Sequence, residues 1–216
     1  MSPIDASQLL RPGLLEGVSV LLAGWQTAAG SAESPGAAVQ GAFGQLGARV
    51  SAPPSISDAA ALGVEEAAID GAVERVLAER GSVELLVVDG AGLFACARRS
   101  ASGREGARAA LRACLDVSWN VTRAVVNRAF LARERGGRIV YVAPAPDAGE
   151  HAEPARAGLE NLARTLSVEW ARHAITVVAI APGAATSAGE VAALTAYLAS
   201  PAGAYFSGCQ LDLRGV

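Results

Sequence analysis

The chain has 216 residues, is 51% apolar and poor in aromatics, and carries a net charge of −3 with an isoelectric point near 5.5. That length and apolar fraction suit one α/β domain with a sizeable core, and the mild acidity leaves no electrostatic footprint for nucleic acid or anionic lipid. Mean hydropathy is +0.31, yet no apolar run reaches membrane length, so the apolar excess points to buried interface rather than to a membrane. Cys96, Cys114 and Cys209 are odd in number and widely spaced with no C-x-x-C, which reads as reduced thiols in a cytoplasmic protein. The start, MSPIDASQLLRPG, lacks the basic-then-apolar design of a secretion leader.

In chain order, residues 1–14 read as a loose arm broken by Pro3, Pro12 and Gly13, and residues 15–216 as a single domain. Gly17–Ala23 (GVSVLLA) is the first predicted strand. A turn containing Gly24, Trp25, Glu33, Ser34, Pro35 and Gly36 leads into a helix over Ala37–Leu46. Ala48–Ala52 is the second strand, stopped by Pro53-Pro54. After a loop over 55–63, Glu65–Arg80 is a helix with Ala68, Ile69, Ala72, Val73 and Val76 inward. Glu84–Val88 is a strand ending in Asp89-Gly90-Ala91-Gly92, with Asp89 placed to cap the next segment. The basic stretch Arg98–Arg108 (RRSASGREGAR) reads as a solvated connection, and a long helix follows over Ala109–Arg133.

The strand Ile139–Ala143, the loop Pro144–Glu153, a helix over Pro154–Arg172 and the strand Ile175–Ala181 form a strand–helix–strand unit. The helix stacks Leu159, Leu162, Ala163, Leu166 and Trp170 on one face. Such a unit requires a right-handed crossover and a parallel sheet. The expected fold is therefore a single doubly wound, Rossmann-like α/β domain with six or seven parallel strands. Beyond Pro182-Gly183 only a few residues precede a further helix over Ala188–Leu198.

The phrases GGRIV, AGLENLARTLSVEWA and ITVVAIAPG, with weaker matches from about Leu15 to Gly215, resemble the short-chain dehydrogenase/reductase family. The resemblance implies a Ser at the strand end and a Tyr-x-x-x-Lys on the next helix, the Tyr acting as acid/base and the Lys lowering its pKa. Carried over by position, the Ser falls on Pro144, the Tyr on Ala152 and the Lys on Arg156, while the family's asparagine on the long helix falls on Ser118. Proline and alanine have no side-chain proton to give. All eighteen basic residues are Arg, so no shift of register uncovers a Tyr-x-x-x-Lys. Tyr141, Tyr197 and Tyr205 lie outside the loop–helix junction.

The implied nucleotide site is altered as well. Gly24 and Gly36 persist in the phosphate turn, but Ser34 and Pro35 replace the middle glycine and its neighbour, and extra residues enlarge the turn. Pro53-Pro54 stands where the family places its ribose or 2′-phosphate ligand, and Leu62 where an aspartate holds the adenine. Asp89 replaces the first Asn of Asn-Asn-Ala-Gly, and Thr186 keeps a position that contacts the nicotinamide amide. The substrate lid after Gly183 is nearly absent, which would leave a carbonyl site open to water.

Two functions of different class fit this pattern. The first is a non-catalytic subunit that binds no cofactor itself and assembles with a catalytically intact homologue. The expected product is a two-plus-two heterotetramer with NAD(P) in the partner, oxidising an alcohol or hydroxyacyl-CoA. Its expected contact faces carry Trp119, Val126 and Leu162 or Trp170. The second is an NAD(P)-dependent oxidoreductase with a relocated acid/base, for which His151, among Asp147, Glu150 and Glu153, stands nearest the tyrosine position. The spacing of these four matches no metal-ligand pattern, so no metal is expected.

Overall fold

The computed structural model describes residues 9–24, 34–53, 66–100 and 103–213. Six strands form one sheet: β1 (Ser19–Ala23), β2 (Arg49–Ser51), β3 (Leu85–Asp89), β4 (Gly137–Val142), β5 (Ile175–Pro182) and β6 (Cys209–Leu213). Their order is β2-β1-β3-β4-β5-β6 and every neighbouring pair is parallel. The doubly wound architecture expected from the βαβ pattern is thus the one observed. The winding reverses between β1 and β3, which opens the crevice at their carboxyl ends where this class of sheet binds ligands.

Alternate strand residues face opposite layers, as the two-residue strand period requires. Leu21, Leu86, Val88, Ile139, Tyr141 and Val177 pack beneath α2 (Glu66–Arg80), α3 (Gly90–Ser100), α4 (Gly103–Val125) and α5 (Ala152–Glu169). Val20, Leu22, Leu85, Val87, Val140, Val178 and Ile180 pack beneath α1 (Pro35–Gln45) and α6 (Ala188–Ala199). The near-continuous burial of β1, β3 and β5 explains why they read as apolar runs rather than alternating ones.

Several boundaries differ from the sequence expectation. The stretch 98–108 is not a connection: α3 runs to Ser100 and α4 starts at Gly103, because Ala107, Ala110, Ala113 and Cys114 find a buried face. The long helix ends in a π-helical turn, Val126–Leu131. Val126 is fully buried inside the chain, so it is not an available contact for another subunit. The reason is that α2 flanks this end of α4, where Asp70 binds both Arg123 and Arg128. Ala68 is exposed rather than inward. The expected arm is partly docked, with Leu10 and Leu14 packed on the core and the Leu15 N–H donating to the Leu46 carbonyl at 3.0 Å. The edge strand β2 stops at Ser51 because Pro53 offers no N–H to continue the ladder.

Candidate functional site

At the carboxyl end of β1, Gly24 takes a positive φ of 85° and sits so close to β3 that a Cβ would lie 2.6 Å from the Asp89 carbonyl oxygen. This close approach fixes the glycine. The helix α1 begins opposite. A helix start normally leaves its first N–H groups free for an anion. Here the chain satisfies them itself. Pro35 has no N–H, Gly36 donates to Asp89 Oδ2 at 3.0 Å, Ala37 donates to the Ser34 hydroxyl at 3.2 Å, and Ala38 donates to the Ser34 carbonyl at 3.0 Å. Ser34 is the N-cap of α1, a role that its place in the altered glycine turn concealed.

Asp89 was expected to cap one helix and caps two. Its Oδ1 accepts from Gly92 N–H at 2.9 Å, at the start of α3, while Oδ2 reaches α1. The carboxyl is 1% exposed, and burial pushes its pKa up to about 6 against the lowering pull of these two donors. The fixed positive ends of two helices partly offset the missing water. A Cβ on Gly92 would meet Asp89 Oδ2 at 2.7 Å, so this glycine is needed for the carboxylate to seat.

At the ends of β4 and β5 the chain is again closed on itself. Pro144 is buried just beyond β4, and Ala152 is buried in the first turn of α5. Arg156, one turn on and 3% exposed, sends Nη1 to the carbonyls of Pro144 and Pro182, each at 2.7 Å. Its Nε lies 3.6 Å from Glu153 Oε1. The guanidinium therefore ties the end of β4 to the end of β5. Ser118 is fully buried and spends its hydroxyl on the Cys114 carbonyl at 2.5 Å. Thr186 accepts from Gly183 N–H at 2.8 Å and donates to the Leu213 carbonyl at 3.0 Å, fastening the Pro-Gly turn to β6.

No tyrosine enters this junction. Tyr141 lies within the core, its hydroxyl sharing a 2.9 Å hydrogen bond with Thr122, and burial raises its pKa. Tyr197 packs edge-on against Phe206, and Tyr205 is exposed. His151 takes a left-handed conformation (φ 70°) at the N-cap of α5, with a partly exposed imidazole 3.8 Å from Glu150 Oε1. Arg98, from α3, donates to the Ala148 carbonyl and so holds the loop before α5, a contact that its charge-rich surroundings in sequence did not reveal. Only residues 184–187 separate Gly183 from α6. Trp25, Glu33, Pro54 and Leu62 lie outside the described residues. Among the described residues no group of His, Cys, Asp or Glu is placed to hold a metal ion, and no helix is long and apolar enough to cross a membrane.

The sequence pattern described as enoyl-(acyl carrier protein) reductase matches residues 62–189, more than half of the chain. The peroxisomal 2,4-dienoyl-CoA reductase of Rattus norvegicus is 28% identical over 185 residues, covering 68% of this chain and 61% of that enzyme. The chain thus spans less than two thirds of the length of the curated relatives it matches. Among solved structures, a citronellol catabolism dehydrogenase from Pseudomonas aeruginosa superposes with a TM-score of 0.76 at 26% identity, covering 96% of this chain and 98% of the other. A short-chain dehydrogenase from Mycobacterium smegmatis shares the fold with a TM-score of 0.75 at 24% identity, covering 100% and 97%. With its six-stranded parallel sheet and this match, the chain belongs to the short-chain dehydrogenase/reductase family.

Proposed function

We propose that this chain is a non-catalytic short-chain dehydrogenase/reductase subunit that assembles with a catalytically intact homologue. The observation that carries the reading is Arg156. The cation at the family's lysine position is buried and committed to the Pro144 and Pro182 carbonyls, beside an alanine and a proline that have no proton to exchange. The same pattern recurs at Asp89, Ser118 and Thr186, whose polar groups are all bonded within the chain. Side chains that hold or polarise a ligand in an enzyme here hold the scaffold. In the assembly, NAD(P) is bound by the partner. The relatives' names, a dienoyl-CoA reductase and a citronellol catabolism dehydrogenase, favour an acyl-CoA or alcohol as the partner's substrate.

The α1 start supports the absence of cofactor from this chain, because its first-turn donors already have acceptors. Calorimetric titration of the isolated chain with NAD(H) and NADP(H) is expected to show no binding, and micromolar affinity for either would refute the reading. Ala152→Tyr combined with Arg156→Lys is expected to create no dehydrogenase activity, since the phosphate turn and lid are unchanged.

Assembly is tested separately. Co-expression with each intact short-chain dehydrogenase of the same genome, followed by native mass spectrometry, is expected to give a two-plus-two complex with one of them. A soluble monomer that ignores all of them ends the subunit reading. The alternative, an oxidoreductase with a relocated acid/base, draws on the partly exposed imidazole of His151 at the mouth of the junction. It requires the isolated chain to turn over an alcohol with NAD(P) and to lose that activity in His151→Ala.

A further inference from the structure

We propose that the groove at the amino ends of the strands, opposite the nucleotide crevice, binds a medium-chain aliphatic carboxylate anchored by Arg138. The groove has a volume of about 770 Å³, within the roughly 300–1,000 Å³ of small-molecule sites. It forms where β1, β3, β4 and β5 begin, and Leu14, Ala199 and Pro201 complete its wall.

Arg138 stands in the middle of this row, with Leu85 beside it on β3 and Thr176 beside it on β5. Its side chain is half-buried, and Nη1 donates to the carbonyls of Ala199 and Ser200, the second at 2.7 Å. Leu198 offers a third carbonyl at 3.5 Å. These carbonyls close α6, so the cation also answers the negative end of that helix. The anchorage uses one nitrogen of three. Among the described residues Nε and Nη2 make no hydrogen bond or ion pair, and neither is sealed from solvent. Together they form one planar edge, which matches the two oxygens of a carboxylate. No carboxylate of the described residues offsets the charge, and burial alone pulls its pKa down. Water can satisfy those two N–H groups, but beside a desolvated wall an anion gains more from them.

The rest of the groove selects the tail and the head group. Leu85, Val83, Val18 and Leu14 make an apolar wall beside the anchor. Two strand spacings, about 10 Å, separate β4 from β1, which gives an acyl tail room to lie from Leu85 towards Val18. Glu16 and Glu84 also line the groove and oppose a second negative charge, so a carboxylate fits better than a phosphate monoester. Glu84 is itself committed, accepting from the Ser19 N–H at 2.7 Å. Ala129 brings the π-helical turn Val126–Leu131 to the wall, and such turns are rare and frequent at functional sites. The inference does not depend on the subunit reading.

The probe is sodium octanoate, titrated into the full chain by calorimetry at low ionic strength, and one saturable site is expected. Octanol lacks the charge and acetate lacks the tail, so each is expected to bind at least about tenfold more weakly. Equal binding of either, tighter binding of octyl phosphate, or no saturable binding of octanoate overturns the proposal. Arg138→Gln is expected to weaken octanoate about tenfold or more. That variant also releases the α6 carbonyls, so its folding is checked by circular dichroism. Thr176→Glu leaves the bonds of Arg138 in place, sets a carboxylate beside the site and is expected to cause a similar loss. Unchanged affinity in either variant, once folded, overturns the proposal. A third measurement needs no substitution: intermolecular NOEs from the octanoate methyl group are expected at Leu14, Val18 or Leu85, and NOEs confined to other residues overturn it. Failure of the homologue co-expression leaves this result standing, and failure here leaves the subunit reading standing.

Discussion

Arg156→Ala is expected to destabilise the fold by about 3–5 kcal/mol, measured by urea unfolding. The wild-type guanidinium, 3% exposed, donates two 2.7 Å hydrogen bonds to the carbonyls of Pro144 and Pro182. Hydrogen bonds from a charged donor contribute about 1.5–3 kcal/mol each, and truncation also strands two acceptors away from water. Arg156→Met separates the contributions: it keeps an apolar stem in place and removes the donors, so its loss relative to wild type reports the hydrogen bonds alone. Arg156→Lys is expected to fall between, because one ammonium reaches a carbonyl without the planar fork. If Arg156→Ala unfolds within about 1 kcal/mol of wild type, the strand-end tie is not what the residue is for, and the structural reading of the lysine position fails with it.

The second large effect is in the pH dependence of stability, and it runs opposite to the usual carboxylate case. Burial raises the folded pKa of Asp89 from 3.8 to about 6. A group whose pKa is higher in the folded state binds its proton more tightly there, so its stabilisation is fully present below about pH 4 and is lost as pH rises through about 6. The two-unit displacement corresponds to about 3 kcal/mol. The difference in unfolding free energy between wild type and Asp89→Asn is expected to fall by that amount from about pH 4 to about pH 7, since the amide does not titrate. Other carboxylates titrate in both proteins and cancel. A difference that stays flat, or rises with pH, would mean that the donors from Gly36 and Gly92 outweigh desolvation and that Asp89 is a favourably ionised helix cap.

The same residue shows where reading a sequence stops. Its position after an apolar strand and before Gly90-Ala91-Gly92 marks it as a cap, because a carboxylate three residues ahead of an N–H at a helix start is a local geometry. Its second bond, to Gly36 across 53 residues, follows only from how β1 and β3 lie side by side. Arg156 is alike: that the chain has no lysine is plain in the sequence, but the carbonyls that receive the guanidinium come from the ends of two other elements. Thr186 bonds to the last strand, 27 residues on.

The strands and most helices were legible because parallel strands covered on both faces are apolar throughout, and because helical faces repeat at a fixed period. That the strands run parallel followed from the strand–helix–strand pattern, while their order is read from the structure. What composition misjudged was the stretch 98–108, whose charges and glycines suggest a loop although α3 runs to Ser100, α4 starts at Gly103 and Ala107 folds inward. It misjudged Val126 too, since a helical period shows which residues share a face and not how many faces are covered. The sequence by itself pointed to the family and the doubly wound sheet, and it contains no lysine, all of which depend on local pattern or composition. Only the tertiary structure decided where the remaining polar groups went, because a hydrogen bond between distant residues is chosen by the packing of the elements that carry them.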